Sequence, residues 1–220
     1  MPRILVVINP NTSEATTRLL VDTARSAARE EDVEVVGVTA AEGPALLADP
    51  VALAAAAGPV VAAAGEAARR WDPVALIVAA FGDPGLIEAG LATGLPVIGI
   101  GGASVRVASA GGRRFAIATT TSRLEPALRE LVAGSGALAE YAGCFLTASP
   151  AEELSDPELL HDELREAVLR AHRDGAEAVV IGGGPLSAAA ASLAEEFRGR
   201  ILIVEPVRAA VAEALCAARV

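Results

Sequence analysis

Three carboxylates stand where the chain turns: Glu42 before Gly43-Pro44, Asp83 inside Gly82-Asp83-Pro84-Gly85, and Glu205 directly after the apolar run that ends at Val204. A carboxyl group desolvated in a cleft is pushed toward a neutral-range pKa and can then give or take a proton. In its turn Asp83 also suits the simpler task of bonding its own backbone. Amide and hydroxyl donors gather at Asn9, Thr12 and Ser13 and again at Thr119, Thr120, Thr121 and Ser122, where they serve a polar ligand or cap the helices that follow. Ser187 offers a hydroxyl with no His near it to activate it, which favours capping.

Other reactive groups are scarce. All 18 basic residues are Arg, so the chain has no amine for a Schiff base with pyridoxal phosphate or a carbonyl substrate, and no P-loop lysine. Two His and two Cys argue against a thiolate and imidazole metal cage. Cys144 lies in the apolar run 142–147 and Cys216 near the C-terminus, both read as small hydrophobes. His161 and His172 flank the Leu160, Leu164, Val168, Ala171 stripe of one helix and face solvent. The expectation is chemistry without metal or organic cofactor.

The elements that must position these groups follow from periodicity. Short β-branched runs alternate with longer Ala/Leu/Glu/Arg segments of helical period, the pattern of an α/β fold with a mainly parallel sheet. Strands are predicted at 3–9, 33–39, 75–80, 96–100, 114–119, 142–147, 178–181 and 201–204. Helices are predicted at 13–30, 50–70, 85–93, 104–110, 122–132, 157–174, 186–198 and 207–218. With 53% hydrophobic residues and a mean hydropathy of +0.46, these 220 residues can bury a sizeable core. The net charge of −10 opposes nucleic-acid binding. The apolar stretch 51–64, interrupted by Gly58-Pro59, reads as too short for a membrane span. The first apolar run is too brief for a signal peptide and two Cys make no disulfide framework, which together point to a cytoplasmic protein.

The sequence also repeats. Arg3 to Ser13 can be laid on Arg114 to Ser122, each a strand running into a Thr-Ser turn, and Ala75 to Ala80 on Ala178 to Gly183, each breaking at a Gly/Pro turn. Asn11 with Glu14 and Ser122 with Glu125 have capping-box spacing. Two pseudo-symmetric lobes are expected, the first spanning 1–97 plus 205–220 and the second 98–204, each with a mainly parallel sheet flanked by helices. Ligands of parallel sheets bind beyond the strands' carboxyl ends, so the two lobes should direct Asn9–Ser13, Ala80–Gly85, Thr119–Ser122 and Gly182–Leu186 into one cleft, with Phe81 and Gly184 among its lining. Gly99-Ile100-Gly101-Gly102-Ala103-Ser104 lacks the third glycine of a dinucleotide fingerprint.

On Ile8-Asn9-Pro10-Asn11-Thr12-Ser13, Val38 to Pro44, Phe81-Gly82-Asp83-Pro84-Gly85-Leu86, Pro96 to Ile100, Phe115 to Thr120 and Glu205-Pro206-Val207, the chain resembles the hydantoin racemase branch of the aspartate/glutamate racemase superfamily, in family order over almost its whole length. The resemblance implies two α/β lobes around a cofactor-independent site. There, two cysteines on opposite faces of the substrate α-carbon exchange its proton. At the corresponding positions this sequence reads Ala80 and Gly183, and Gly102 stands where many relatives carry an acid. The resemblance therefore implies a diverged isomerase or lyase working next to the carbonyl of a small carboxylate, amide or ureide, with Asp83, Glu42 or Glu205 in place of the thiols and Asn9, Thr12, Ser13, Phe81, Thr119, Thr120 and Gly184 holding the ligand. The alternative is a catalytically silent binding protein that keeps the cleft. A homo-oligomer is expected from the Ala-rich composition.

Overall fold

A computed structural model describes residues 3–218, so Met1, Pro2, Arg219 and Val220 at the ends of the expected first lobe lie outside the described residues. The chain runs β1 (Arg3–Asn9), α1 (Glu14–Ala28), β2 (Val33–Thr39), α2 (Pro50–Ala55), α3 (Ala57–Trp71), β3 (Ala75–Val78), α4 (Leu86–Thr93), β4 (Val97–Gly99), α5 (Ile100–Ser109), β5 (Phe115–Thr119), α6 (Glu125–Gly134), β6 (Tyr141–Leu146), α7 (Pro157–Arg173), β7 (Ala178–Ile181), α8 (Ser187–Glu196), β8 (Leu202–Val204) and α9 (Pro206–Ala217). Two four-stranded parallel sheets result, ordered β2-β1-β3-β4 and β6-β5-β7-β8. Adding four to each strand number of the first sheet gives the second, so β1 answers to β5 and β3 to β7, the pairing the internal repeat predicts. The inner strands are apolar at nearly every position because helices cover both faces; β3, β5 and β7 are buried throughout.

The same symmetry makes α5, after β4, the counterpart of α9, after β8, and the two helices exchange places. Helix α5 packs on β7, β8 and α6 of the second lobe, whereas α9 packs on α1, β3 and β4 of the first, and the two helices lie against each other. Arg106 of α5 and Glu213 of α9 form a two-pronged ion pair, Nε to Oε2 at 2.9 Å and Nη2 to Oε1 at 2.7 Å.

Several local expectations change. The division at 97/98 falls inside β4, whose register with β3 carries the first sheet through Gly99. Helix α5 begins at Ile100, four residues before the predicted start. Gly58-Pro59 does not interrupt the helical stretch: Pro59 sits in the first turn of α3, where a missing N–H costs no helical bond. Residues 50–71 thus form a 22-residue helical segment with mean hydropathy 1.6, long and apolar enough by length and composition to cross a membrane. One face, Val60, Ala63, Ala64 and Ala67, is packed with Val6, Ile8, Leu76 and Val78, as in the core helix of a sheet protein. Neither expected capping box forms. Ser13 is the N-cap of α1, its Oγ accepting the Thr16 amide at 3.3 Å, and Ser122 opens a 3-10 turn with no side-chain cap bond.

Candidate ligand site between the lobes

The carboxyl ends of β1, β3, β5 and β7 meet at a seam where side chains of the two lobes touch. Phe81, after β3, packs its ring against Gly182, after β7: a Cβ at Gly182 would lie 3.1 Å from the ring's Cε1. Gly184 lies against Leu20 of α1, a Cβ there falling 2.9 Å from the leucine Cδ2. Arg123, just beyond β5, pairs with Asp49 at the start of α2, Nη2 to Oδ2 at 3.4 Å. Both repeat-related strand ends therefore lie at one seam. Ala80 is 7% exposed and Gly183 is half-buried, its φ of +156° and the Leu186 side chain leaving little room for a substituent.

Most polar residues expected to hold a ligand are occupied by the fold. Asn9 is fully buried, its Nδ2 donating to Asn11 Oδ1, Ser13 O and Thr17 Oγ1 at 2.8–3.0 Å while its Oδ1 accepts the Asn11 amide. It locks the turn after β1. Thr119 donates to Gly182 O at 2.7 Å and so ties the end of β5 to that of β7. The Ser13 hydroxyl caps α1. Thr12 is exposed and Thr120 half-buried, and among the described residues neither hydroxyl has a protein partner. Of the side chains expected to hold a ligand, these two are without a protein partner, and Ser13, whose oxygen only accepts, keeps its hydroxyl proton uncommitted as well.

The carboxylates sort as sharply. Glu42 is exposed on the segment between β2 and α2, without the burial its acid-base role needs. Glu205 is buried and caps α9: Oε1 accepts the Val207 amide at 3.0 Å and Oε2 the Arg208 amide at 2.7 Å, while Ser187 Oγ donates to Oε1 at 2.8 Å. The same hydroxyl lies 2.8 Å from Gly184 O and shares its proton between the two acceptors, which places Glu205 one side chain away from the seam. Asp83 caps α5 in the same manner. Its Oδ1 accepts the Gly101 amide at 2.8 Å and its Oδ2 the Gly102 amide at 2.7 Å. Burial nevertheless pushes its pKa up to about 6, against the pull of those two amides and of Arg106. The glycine-rich stretch after β4 is thereby explained as room for this carboxylate. Cys144 is half-buried on the edge strand β6 with its thiol pushed up to about 12 by burial, and Cys216 is exposed on α9. Neither stands at the seam. Among the described residues no group of three His, Cys, Asp or Glu is placed to hold a metal ion.

Sequence reasoning passed over Leu53. It is the one buried residue of α2 and lies over Gly82, where a Cβ would stand 2.6 Å from the leucine Cδ2. Asp49-Pro50 is a legible helix start, but nothing local indicates that this helix covers the turn after β3.

The family model described as Asp/Glu/Hydantoin racemase matches residues 5–214. The hydantoin racemase of Paenarthrobacter aurescens is 31% identical, the match covering 97% of this chain and 91% of that protein. The structure of an allantoin racemase from Klebsiella pneumoniae superposes with a TM-score of 0.89 at 31% identity, covering 97% of this chain and 86% of the other. An allantoin racemase from Pseudomonas fluorescens gives 0.87 at 24% identity, covering 98% and 91%, and speaks to the fold alone.

Proposed function

The chain belongs to the Asp/Glu/hydantoin racemase family, and from that premise we propose that it is a diverged, cofactor-independent isomerase or lyase. It acts at the inter-lobe seam on a small carboxylate, amide or ureide, by acid-base chemistry next to a carbonyl and without the two-thiol machinery. The observation that carries this reading is the pairing of non-ionisable residues, Ala80 and Gly183, at equivalent strand ends, with Asp83 three residues beyond the first. A methyl group and a hydrogen exchange no proton, whereas a carboxyl held near pH 6 populates both protonation states around neutrality. Each Asp83 oxygen accepts one amide and has a further lone pair for a proton. The proposed ligand contacts are Thr12 and Thr120 by their hydroxyls and Phe81 by its ring. Asn9, Ser13, Thr119 and Gly184 act by fixing the turns, and Glu205 and Ser187 by fixing the start of α9.

The test is exchange of α-hydrogen in deuterated water, followed by proton NMR, across hydantoins, allantoin and free amino acids. Exchange with a rate profile that rises through a pKa near 6 supports the reading; absence of exchange and of any other turnover across the panel overturns it. A second reading is favoured by the double use of Asp83 and Glu205 as helix caps: a binding protein that keeps the seam and has lost the chemistry. A ligand-dependent rise in melting temperature without turnover selects it.

A further inference from the structure

Helix α2 has an unusually light hold on the fold. It has six residues, one of them buried, and that residue, Leu53, lies over Gly82 beside Ala80 and Phe81. Its N-terminus is capped by Asp49, whose Oδ1 accepts the Ala52 amide at 2.9 Å. The other oxygen of the same carboxylate meets Arg123 of the opposite lobe. At its far end the helix passes into α3 through a single turn at Ala56, a buried residue whose amide bonds back to Ala52 O at 3.2 Å, and Val51 on its outer face is 79% exposed. The cap holds the helix together rather than down; on the seam the segment is held chiefly by the Leu53 side chain and the Asp49–Arg123 ion pair. The ion pair reaches across to the second lobe.

We propose that α2 is a gate over the inter-lobe site, with Leu53 as its plug, the Asp49–Arg123 pair as its latch and Ala56 as its hinge. The gate rests on the reading of the seam as the ligand site, since opening matters only if something enters there. The latch is suited to its task by being weak. Arg123 is 74% exposed and Asp49 27%, and such pairs shift an equilibrium only a few-fold, enough to keep α2 closed most of the time without trapping a ligand. Lifting Leu53 uncovers the turn that carries Ala80 and Asp83 and leaves α3 on its sheet.

Amide hydrogen exchange of the full chain without ligand tests the latch. Arg123→Gln and Asp49→Ser are the informative pair, because Ser retains an N-cap oxygen while losing the charge. Each should speed exchange across residues 51–56 by about two- to five-fold. The double variant should be no faster than the singles, and high salt should speed the wild type but not the variants. Unchanged exchange in both single variants, or effects that multiply in the double variant, overturn the latch. The plug is tested by the rate at which a small maleimide labels a thiol introduced by Ala80→Cys in a Cys216→Ser background. Adding Arg123→Gln should raise that rate to a similar extent, and an unchanged rate overturns the coupling to the site. Neither measurement uses a substrate, so failure to find turnover or ligand binding leaves the gate standing and bears only on the proposed function.

Discussion

Asp83 and Gly99 are in such close register that a Cβ on Gly99 would lie 2.1 Å from the Asp83 Cγ. A glycine at the end of β4 is thus part of the binding pocket of a carboxylate that caps the next helix. Gly99→Ala should expel that carboxylate and leave the amides of Gly101 and Gly102 unpaired in a buried setting. The expected loss is about 3 kcal/mol of stability, read from urea unfolding. Gly58→Ala is the control, since nothing lies within 4 Å of a Cβ there and the site is helical; it should leave stability unchanged or raise it by about 0.5–1 kcal/mol.

Asp83 also makes stability depend on pH, with an unusual sign for a carboxylate. Burial raises its pKa from 3.8 to about 6 on folding, so between those values the folded state binds the proton more tightly than the unfolded one. Its contribution is then full below about pH 4 and declines as pH rises to about 6, by up to about 3 kcal/mol, after which it is flat. Asp83→Asn removes this dependence. Unfolding free energies measured from pH 4 to 7 should show the wild type losing ground to the variant across that window, and parallel curves would refute the assignment.

Placing thiols at both strand ends tests the proposal that Ala80 and Gly183 occupy the positions of a two-thiol site. Ala80→Cys alone supplies one acid-base group and should give no racemisation; joined with Gly183→Cys it supplies both and should give racemisation of a hydantoin, monitored by polarimetry. The second change has a cost, because a Cβ at position 183 would lie 3.1 Å from Leu186 Cδ1 with φ at +156°. We expect the double variant to be less stable by about 1–3 kcal/mol. Adding Leu186→Ala should relieve the contact and leave the racemisation in place.

The strands were legible because a run buried on both faces needs apolar residues at every position, and Ala75–Val78 and Ala178–Ile181 announce themselves. The symmetry was legible too, since the turns after β1 and β5 share their Thr-Ser sequence. The roles of individual polar residues were not. Asn9 and Thr119 stand at the right strand ends to meet a ligand, yet Asn9 bonds Asn11 and Ser13 of its own turn together with Thr17, and Thr119 bonds Gly182, a partner that only the closed fold supplies. The start of α5 was misread for a related reason. Glycines at 101 and 102 are poor helix formers by propensity, and what starts the helix there is a carboxylate from Asp83, 18 residues upstream of Gly101.

The exchange of α5 and α9 bears on how the molecule comes apart. If each lobe held its own last helix, the lobes would be separate cores and could melt in two steps. Here Val207, Ala210, Val211 and Ala214 of α9 share one buried cluster with Leu5 and Ile77 of the first sheet and with Ile100, Ala103 and Ile117, so removing either lobe strips a helix from the other. Unfolding should therefore be a single cooperative transition. Trp71 reports from the first lobe alone, being the only tryptophan, and far-UV circular dichroism reports from both; their midpoints in urea should coincide. Glu213→Gln weakens the half-exposed pair with Arg106 by no more than about 1 kcal/mol and should move both midpoints together. Two separated midpoints would mean that the exchanged helices do not couple the lobes.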